Sequence, residues 1–231
     1  MLMSRQSSGA FSDKGRALLM ALFVDNMLVD AALQATIMER CRARTLPDEP
    51  AAVADDLGPL HLPDGTTTRI WLVHAADAVL LDDLGQIVLI TRLHNPGRGK
   101  LALPGGLLDA TQGGVESSLT AVLREAVEET GISPAVLATA RITQLGHRRF
   151  LRPFDIRRAW NNLPGTPISE GELFMVSTLG FRLRLQVNLR AIALKAGDDA
   201  AALNLVYAKD VTRETLAVPD HLDLIRDALA G

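Results

Sequence analysis

The sequence predicts an α+β fold with a helical segment ahead of the sheet. Strand-type segments are mixed with at least two helical segments, and they form no regular strand–helix–strand repeat. The chain has 231 residues, of which 48% are hydrophobic and 22% charged, so it is long enough to bury a core. The mean hydropathy of +0.15 is too high for long disordered tracts.

The first 65 residues predict helices followed by a linker. Apolar residues recur at three- and four-residue steps between Ser12 and Arg44, and Asp25 and Asn26 divide this pattern into two helices. Prolines and glycines between residues 47 and 65 then predict a loop-rich linker. We therefore divide the chain into an N-terminal helical extension and linker, 1–65, and a main domain, 66–231. The apolar helix faces need cover, either from the main domain or from a homodimer contact.

The main domain begins with alternating strand signals. Thr67–Val73 and Ala78–Leu81 predict strands, and the turn at 82–85 joins the second to Gln86–Arg92 in a hairpin. Further strand-type segments lie at 138–144, 173–179, 183–194 and 203–209. A last helix is expected to reach about Ala230, with Asp220 as its cap and His221 in a structural role.

One helix carries the most informative pattern. Residues 115–130 predict a helix that ends at Gly131, and Glu125, Glu128 and Glu129 fall on one of its faces. Like charges at this spacing repel one another, and a hard divalent cation such as magnesium would relieve the repulsion. The alternative is an acidic face exposed to solvent. The loop at 103–106, Leu-Pro-Gly-Gly, favours the first interpretation, because glycines let the backbone approach a ligand closely.

The residues around these glutamates resemble the box of the Nudix hydrolase family. Glu116 is followed after seven residues by the run Arg-Glu-Ala-Val-Glu-Glu-Thr-Gly-Ile at 124–132, which meets every position that the box specifies from Glu116 onward. The resemblance implies an α/β/α sandwich with a mixed sheet, preceded here by helices. It also implies an enzyme in which a metal-activated water attacks a diphosphate bond.

The resemblance also assigns roles to the residues of the box. Glu125, Glu128 and Glu129 would bind Mg²⁺ or Mn²⁺, and Glu125 would double as the base. Glu116 would lie near the metal as a ligand or as a support for one. Arg124 would orient the glutamates through a charge-assisted pair. For Arg124, the alternative is an ordinary salt bridge on the helix surface.

The box departs from the family pattern at one place. Nine residues, 107–115, separate Gly106 from Glu116 where the family has five, and Ala110 occupies the position of a strictly spaced glycine. The simplest interpretation is a four-residue insertion within 108–115, which a loop can tolerate. The insertion leaves the placement of Glu116 open.

The segment before the box is similar to the ADP-ribose branch of the family. That branch often has Gly-Lys-Trp-Ala-Leu-Pro-Gly-Gly where residues 99–106 have leucine in place of tryptophan. The proline that the branch places sixteen residues beyond the box is replaced by Arg148, which weakens the assignment. The residues implied in substrate binding are Gly105, Gly106, Arg92, Arg157, Arg158 and Asp199. The two later arginines could instead be surface charge, and Asp199 could belong to a turn.

The resemblance therefore predicts a Mg²⁺-dependent pyrophosphatase that converts ADP-ribose, or a related nucleoside diphosphate derivative, to AMP and a sugar phosphate. Two alternatives stay open: a Nudix hydrolase for a nucleotide sugar or dinucleotide, and a non-catalytic module that senses ADP-ribose. Because the sequence ends at Gly231, soon after the last predicted helix, we expect no winged helix of the kind that Nudix-related repressors carry.

Composition excludes several other classes. A net charge of −3 argues against a nucleic-acid partner, and the apolar stretch Ala17–Val24 is too short to span a bilayer. No signal peptide is expected. Cys41 is the only cysteine, so an intramolecular disulfide and a cysteine-built zinc site are both excluded. We expect a cytoplasmic protein with a nucleotide-derived substrate.

Overall fold

The computed structural model describes residues 22–24, 27–94, 97–150, 172–197 and 200–231. Its helices are α1 (Ala31–Arg42), α2 (Ser118–Thr130), α3 (Pro134–Leu137) and α4 (His221–Ala230). Its strands are β1 (Phe23–Val24), β2 (Met27–Leu28), β3 (Ala54–His61), β4 (Thr67–Leu81), β5 (Gln86–Arg92), β6 (Leu101–Ala102), β7 (Gly105–Leu107), β8 (Ala110–Thr111), β9 (Gly114–Val115), β10 (Arg141–Phe150), β11 (Leu173–Arg184) and β12 (Ala200–Tyr207).

A mixed sheet of eight strands forms the centre of the fold. Its main path runs β10-β11-β4-β5-β12, with β3 and β7 paired to β4 and β6 paired to β5. Strands β4 and β11 are parallel and in register from Ile70 beside Leu173 to Leu81 beside Arg184, whereas the other pairs in this sheet are antiparallel. The predicted mixture of helices with a mixed sheet is confirmed.

Helices cover both faces of the sheet. Ala76, Ala78 and Leu80 of β4 pack in one core cluster with residues of α2. The alternate residues Val79 and Leu81 pack in a second cluster with residues of α4. Because both faces are covered, β4 has an almost unbroken run of buried residues from Ile70 to Leu81. The layering is that of the predicted α/β/α sandwich.

The N-terminal helix α1 packs on its own chain. Leu33, Ile37 and Cys41 are buried in a cluster with Ile70 and Leu72 of β4 and with apolar residues of β3 and β11. Asp30 begins the helix by accepting backbone N–H groups of Ala32 and Leu33. The apolar face of this helix is therefore covered without a second subunit.

Three sequence expectations about the elements were wrong. Ala54–His61, predicted as linker, is strand β3; it tolerates Gly58 and Pro59 because it pairs only with β4 and has an irregular register between Asp56 and Gly58. Residues 22–28, predicted as helix, contain the short pair β1–β2. The strand predicted over 183–194 ends at Arg184 and is followed by a 3₁₀ turn at 189–191. Most of the helix predicted from Ser12 lies outside the described residues.

Membrane-crossing helices are absent from the part of the chain that the structure describes, since none of its helices is both long and apolar enough.

Candidate active site

The glycine loop lies directly against helix α2. Strand β7 pairs Gly105 with Asp77 and Gly106 with Ala76, which fixes the loop at the middle of β4. The N–H of Gly105 donates to Glu129 Oε2 at 2.8 Å. A Cβ atom on Gly105 would overlap the Asp77 carboxylate, and one on Gly106 would overlap that of Glu125. Gly105 is therefore required, because a Cβ there would also overlap the backbone of β4, whereas a Cβ on Gly106 would displace the Glu125 carboxylate.

Local signals set the bounds and the rotation of α2. The Ser117 hydroxyl caps the start by accepting the N–H of Thr120, and Gly131 ends the helix with a φ of 65°, where it donates to Val127 O. Ala121 and Ala126 are fully buried against the sheet. With that face inward, Glu129 is buried and Glu125 partly buried near the loop, whereas the Glu128 side chain is 57% exposed.

Arg124 connects the glutamates of the helix to Glu116. Its Nη2 donates to Glu116 Oε1 at 2.6 Å and to the carbonyl of Leu107 at 3.2 Å. Its Nη1 donates to Glu125 Oε1 at 2.8 Å and to Glu128 Oε2 at 3.0 Å. Burial lowers the pKa of Arg124, but the carboxylates of Glu116 and Glu125 outweigh burial and raise it above its ordinary value. The guanidinium is thus a fixed positive charge within the cluster.

Two carboxyl groups of the cluster are held at an electrostatic cost. Burial raises the pKa of Glu129 to about 8, and the charges of Glu125 and Asp77 add to this rise, against the bond from Gly105. Burial also raises the pKa of Glu125, although Arg124 opposes the shift. A cation placed between these groups would lower both pKa values.

The carboxylate oxygens of this cluster suit Mg²⁺ or Mn²⁺, but in this conformation they do not point toward one common position. Carboxylate oxygens are the ligands that hard divalent cations prefer. Within the described ranges, no three or more acidic, histidine or cysteine side chains are arranged so that they could already hold a metal ion. In this conformation Glu125 and Glu128 instead accept from Arg124.

The insertion before Glu116 folds into a small hairpin. Strands β8 and β9 pair Ala110 with Val115 and Thr111 with Gly114. At its base, Glu116 N–H donates to Asp109 O at 3.0 Å, and Asp109 N–H donates to Glu116 Oε1 at 2.8 Å. The extra residues project outward from this closed base, so Glu116 still contacts Arg124.

The remaining predicted residues divide into two groups. The charge of Arg92, at the end of β5, lowers the pKa of Glu129, which places this guanidinium within electrostatic reach of the cluster. Arg157, Arg158 and Asp199 lie outside the described residues. The structure thus brings together Arg92, Gly105, Gly106, Glu116, Arg124, Glu125, Glu128 and Glu129.

Sequence reasoning missed Asp77 and gave His221 only a structural role, although both are buried next to the glycine loop. Asp77 on β4 is 7% exposed and packs against Gly105, and His221 at the start of α4 is 2% exposed, with Nε2 3.3 Å from Asp77 Oδ2. Asp77 is the one acidic residue in the apolar run from Ile70 to Leu81. A carboxylate inside a buried strand needs compensating partners, and this was the available signal.

Comparison with protein families agrees with this geometry. Residues 71–176 match the model of the NUDIX domain family. The chain contains a Nudix domain. The match includes the glycine loop and all of α2, so the recognition made from the box is confirmed. The prediction of a hydrolase acting on a diphosphate bond is confirmed at the level of the family.

Several solved structures are similar to this chain. The NUDIX domain of Shewanella oneidensis NrtR, complexed with ADP ribose, is 22% identical; the match covers 68% of this chain and 86% of that one, with a TM-score of 0.47. A bifunctional NMN adenylyltransferase/ADP ribose pyrophosphatase from Francisella tularensis is 20% identical, covering 88% and 47%, with a TM-score of 0.45. A C. elegans Ap4A hydrolase in a binary complex is 16% identical, covering 68% and 95%, with a TM-score of 0.43.

With TM-scores below 0.5, these similarities carry no argument about substrate. This chain spans about half of the length of the bifunctional enzyme. Curated proteins give no significant match.

Proposed function

We propose that the chain is a metal-dependent Nudix pyrophosphatase. Its substrate is a nucleoside diphosphate linked to a second group, and we favour ADP-ribose, cleaved to AMP and ribose 5-phosphate. The observation that carries the proposal is the placement of Glu125 and Glu129 beside the glycine loop. The buried Glu129 accepts from Gly105, and the partly buried Glu125 lies against Gly106 and accepts from Arg124.

The acidic residues of α2 are the metal ligands in this proposal. Glu125, Glu128 and Glu129 would hold Mg²⁺ or Mn²⁺, with Glu116 beside them. The bound cation supplies a water of lowered pKa and neutralises charge on the diphosphate. For this binding, Glu125 and Glu128 must turn from Arg124 toward the cation. Arg124 keeps Glu116 and the Leu107 carbonyl, so it still fixes the helix against the loop.

Glu125 is also the group that we assign as the base. Burial raises the pKa of Glu125, which makes its carboxylate a better proton acceptor than an exposed glutamate. It lies where a Cβ on Gly106 would be, so an attacking water beside it would be close to the loop backbone. Glu125 would take a proton from that water as the diphosphate bond breaks.

Positive charge for the diphosphate comes from arginines around the site. Arg92 is within electrostatic reach of Glu129, and Gly105 and Gly106 leave room for a phosphate to approach the backbone. Arg157, Arg158 and Asp199 complete the proposed substrate contacts. We further expect a cytoplasmic protein with neither nucleic-acid nor membrane partners. A homodimer stays a prediction, and it needs a surface other than the covered face of α1.

A sensing module without catalysis is the second candidate. The observation that favours it is the engagement of Glu125 and Glu128 by Arg124, which leaves no ready-made metal cluster in the described part of the chain. A third candidate is the same chemistry on a nucleotide sugar or dinucleotide.

A substrate panel separates these candidates. ADP-ribose, NADH, dinucleoside polyphosphates, nucleoside triphosphates and nucleotide sugars would be incubated with Mg²⁺ or Mn²⁺, using wild type, Glu125→Gln and Glu39→Gln. Glu39 is an exposed helical glutamate on α1 and serves as the matched control. We expect preferential AMP release from ADP-ribose, reduced about 100-fold or more by Glu125→Gln and unchanged by Glu39→Gln. Turnover of another substrate would correct the substrate alone. No turnover, with ADP-ribose still bound, would favour the sensing module.

A further inference from the structure

A buried histidine links the last helix to the back of the glycine loop. His221 is the first residue of α4, and its side chain is 2% exposed. Its Nδ1 lies 3.4 Å from the backbone nitrogen of Leu103, two residues before Gly105. Its Nε2 lies 3.3 Å from Oδ2 of Asp77. One imidazole thus contacts both Leu103, just before the glycine loop, and Asp77 on β4, which pairs with the loop.

The contact with Leu103 indicates which tautomer the His221 ring adopts. Because the Leu103 N–H is a donor, Nδ1 must accept and carry no proton. A ring proton is then assigned to Nε2, which faces the Asp77 carboxylate at 3.3 Å without meeting hydrogen-bond geometry. His221 therefore accepts a hydrogen bond from Leu103 and places Nε2 beside Asp77.

Asp77 carries this link forward to the proposed metal ligands. Its carboxylate occupies the space where a side chain on Gly105 would begin, so the two residues fix one another. Gly105 in turn donates its N–H to Glu129. A displacement of Asp77 would move Gly105, and the hydrogen bond from the Gly105 N–H to the Glu129 carboxylate would then break unless the carboxylate followed.

From this chain of contacts we infer that His221 is a positioning residue for the active site. It holds Asp77 and Leu103 so that the Gly105 N–H stays on Glu129, which keeps that carboxylate in place for the cation. The inference rests on the proposed function. The competing interpretation is a core histidine that only stabilises the fold.

The chain offers a matched control for that competing role. His74 lies on β4, the strand that carries Asp77. It is 3% exposed, and its Nε2 lies 3.2 Å from Asp55 Oδ2 on β3. Like His221, it is a buried histidine beside an aspartate, but the Asp55 side chain is 43% exposed and lies on β3 rather than beneath Gly105. Replacing His74 therefore measures what the loss of a buried histidine on β4 costs the fold.

The test compares wild type with His221→Leu, His221→Gln and His74→Leu. Three quantities are measured: the Mn²⁺ dissociation constant by electron paramagnetic resonance, kcat and KM on the substrate that the panel identifies, and hydrogen exchange of the Gly105 amide. Thermal unfolding of each variant shows that it is folded at the assay temperature. Glutamine keeps an N–H near the position of Nε2 and is the conservative variant.

For His221→Leu we expect Mn²⁺ binding about 10-fold weaker and kcat about 10- to 100-fold lower, with KM changed less. Gly105 exchange should rise about 10-fold or more. His221→Gln should recover most of each quantity. His74→Leu should lower the unfolding temperature while the other three quantities stay near wild type.

Two outcomes would overturn the inference. One is a loss of stability in His221→Leu with unchanged Gly105 exchange and unchanged Mn²⁺ affinity, as in the His74 control. The other is equal damage from His221→Gln and His221→Leu. If wild type neither binds Mn²⁺ nor turns over any substrate, the proposed function fails instead. Gly105 exchange then still decides whether His221 positions the loop.

Discussion

The two ends of helix α2 hold acidic side chains under opposite conditions. At the N-terminal end, the exposed Glu49 accepts the N–H of Ser118, where the helix dipole favours a negative charge. Near the C-terminal end, Glu129 is buried, lies close to other carboxylates, and sits where the dipole opposes a negative charge. Glu49, which comes from a segment outside the helix, therefore stabilises α2. Glu129, on the helix itself, is buried at a cost in free energy.

The difference indicates which acid serves the fold and which serves chemistry. Glu49 adds one hydrogen bond at a helix end, as a capping group does. Glu129 costs free energy in the protein without metal, and within the described residues its surroundings repay that cost only in part, through Gly105 and Arg92. Clusters of perturbed carboxyl groups beside a glycine loop are typical of functional sites.

The largest expected effect is on kcat, and it comes from removing the buried charge of Glu129. Glu129→Gln should lower kcat on the diphosphate substrate by about 100-fold or more, because it takes away a metal ligand, while Gly105 keeps an oxygen to bind. Steady-state kinetics with Mg²⁺ measure this. Activity within a few-fold of wild type would show that the burial of Glu129 has no catalytic purpose.

The next effect is a pH dependence of stability. The pKa of Glu129 is about 8 in the folded chain and near 4.5 in the unfolded one, so the folded chain binds more protons between these values. The contribution of Glu129 to the stability of the metal-free protein should therefore fall as pH rises from about 4.5 to 8, by up to a few kcal/mol. Denaturant unfolding at several pH values measures it.

In Glu129→Gln this slope should largely disappear, since glutamine does not titrate. The part that persists reports on Glu125, whose raised pKa acts in the same direction. The lowered pKa of the buried His74 acts in the opposite direction in both proteins, so the difference between their slopes measures Glu129. Equal slopes in wild type and Glu129→Gln would contradict the buried, repelled state of Glu129.

The smallest expected effect is on stability, and it comes from Glu49 at the N-terminal end of α2. Glu49→Gln should cost about 0.5 kcal/mol at low salt, because it removes a charge from the helix N-terminus but keeps an acceptor. The difference should vanish in high salt, which screens exposed charges. Urea unfolding at two ionic strengths checks this, and kcat should be unchanged. A large drop in kcat would mean that Glu49 takes part in the chemistry.

Local patterns predicted the parts of this site that are local. The spacing of Glu125, Glu128 and Glu129, together with Gly131 as a C-cap, specifies one helix face and one helix end. The glycine loop and Arg124 also needed only neighbouring residues to be recognised. This is why the fold class and the identity of the domain were accessible from sequence.

What the sequence did not reveal depends on contacts between distant segments. Gly58 and Pro59 indicate a loop when considered locally, but pairing with β4 makes them part of an edge strand. Asp77 and His221 are far apart in the chain and meet only because β4 and α4 pack together. The direction of the insertion hairpin was likewise decided by the pairing of Asp109 with Glu116.

The hairpin β8–β9 offers an exposed position for attaching a spectroscopic label. Its tip, including Gln112, is exposed and separated from Arg124 by the closed pair at its base. Cys41, the only cysteine of the sequence, lies on the buried face of α1 and is fully buried. A thiol introduced at Gln112 would thus be the only exposed one. A dye attached there would report on the approach of nucleotide to the loop while leaving the carboxylates unmodified.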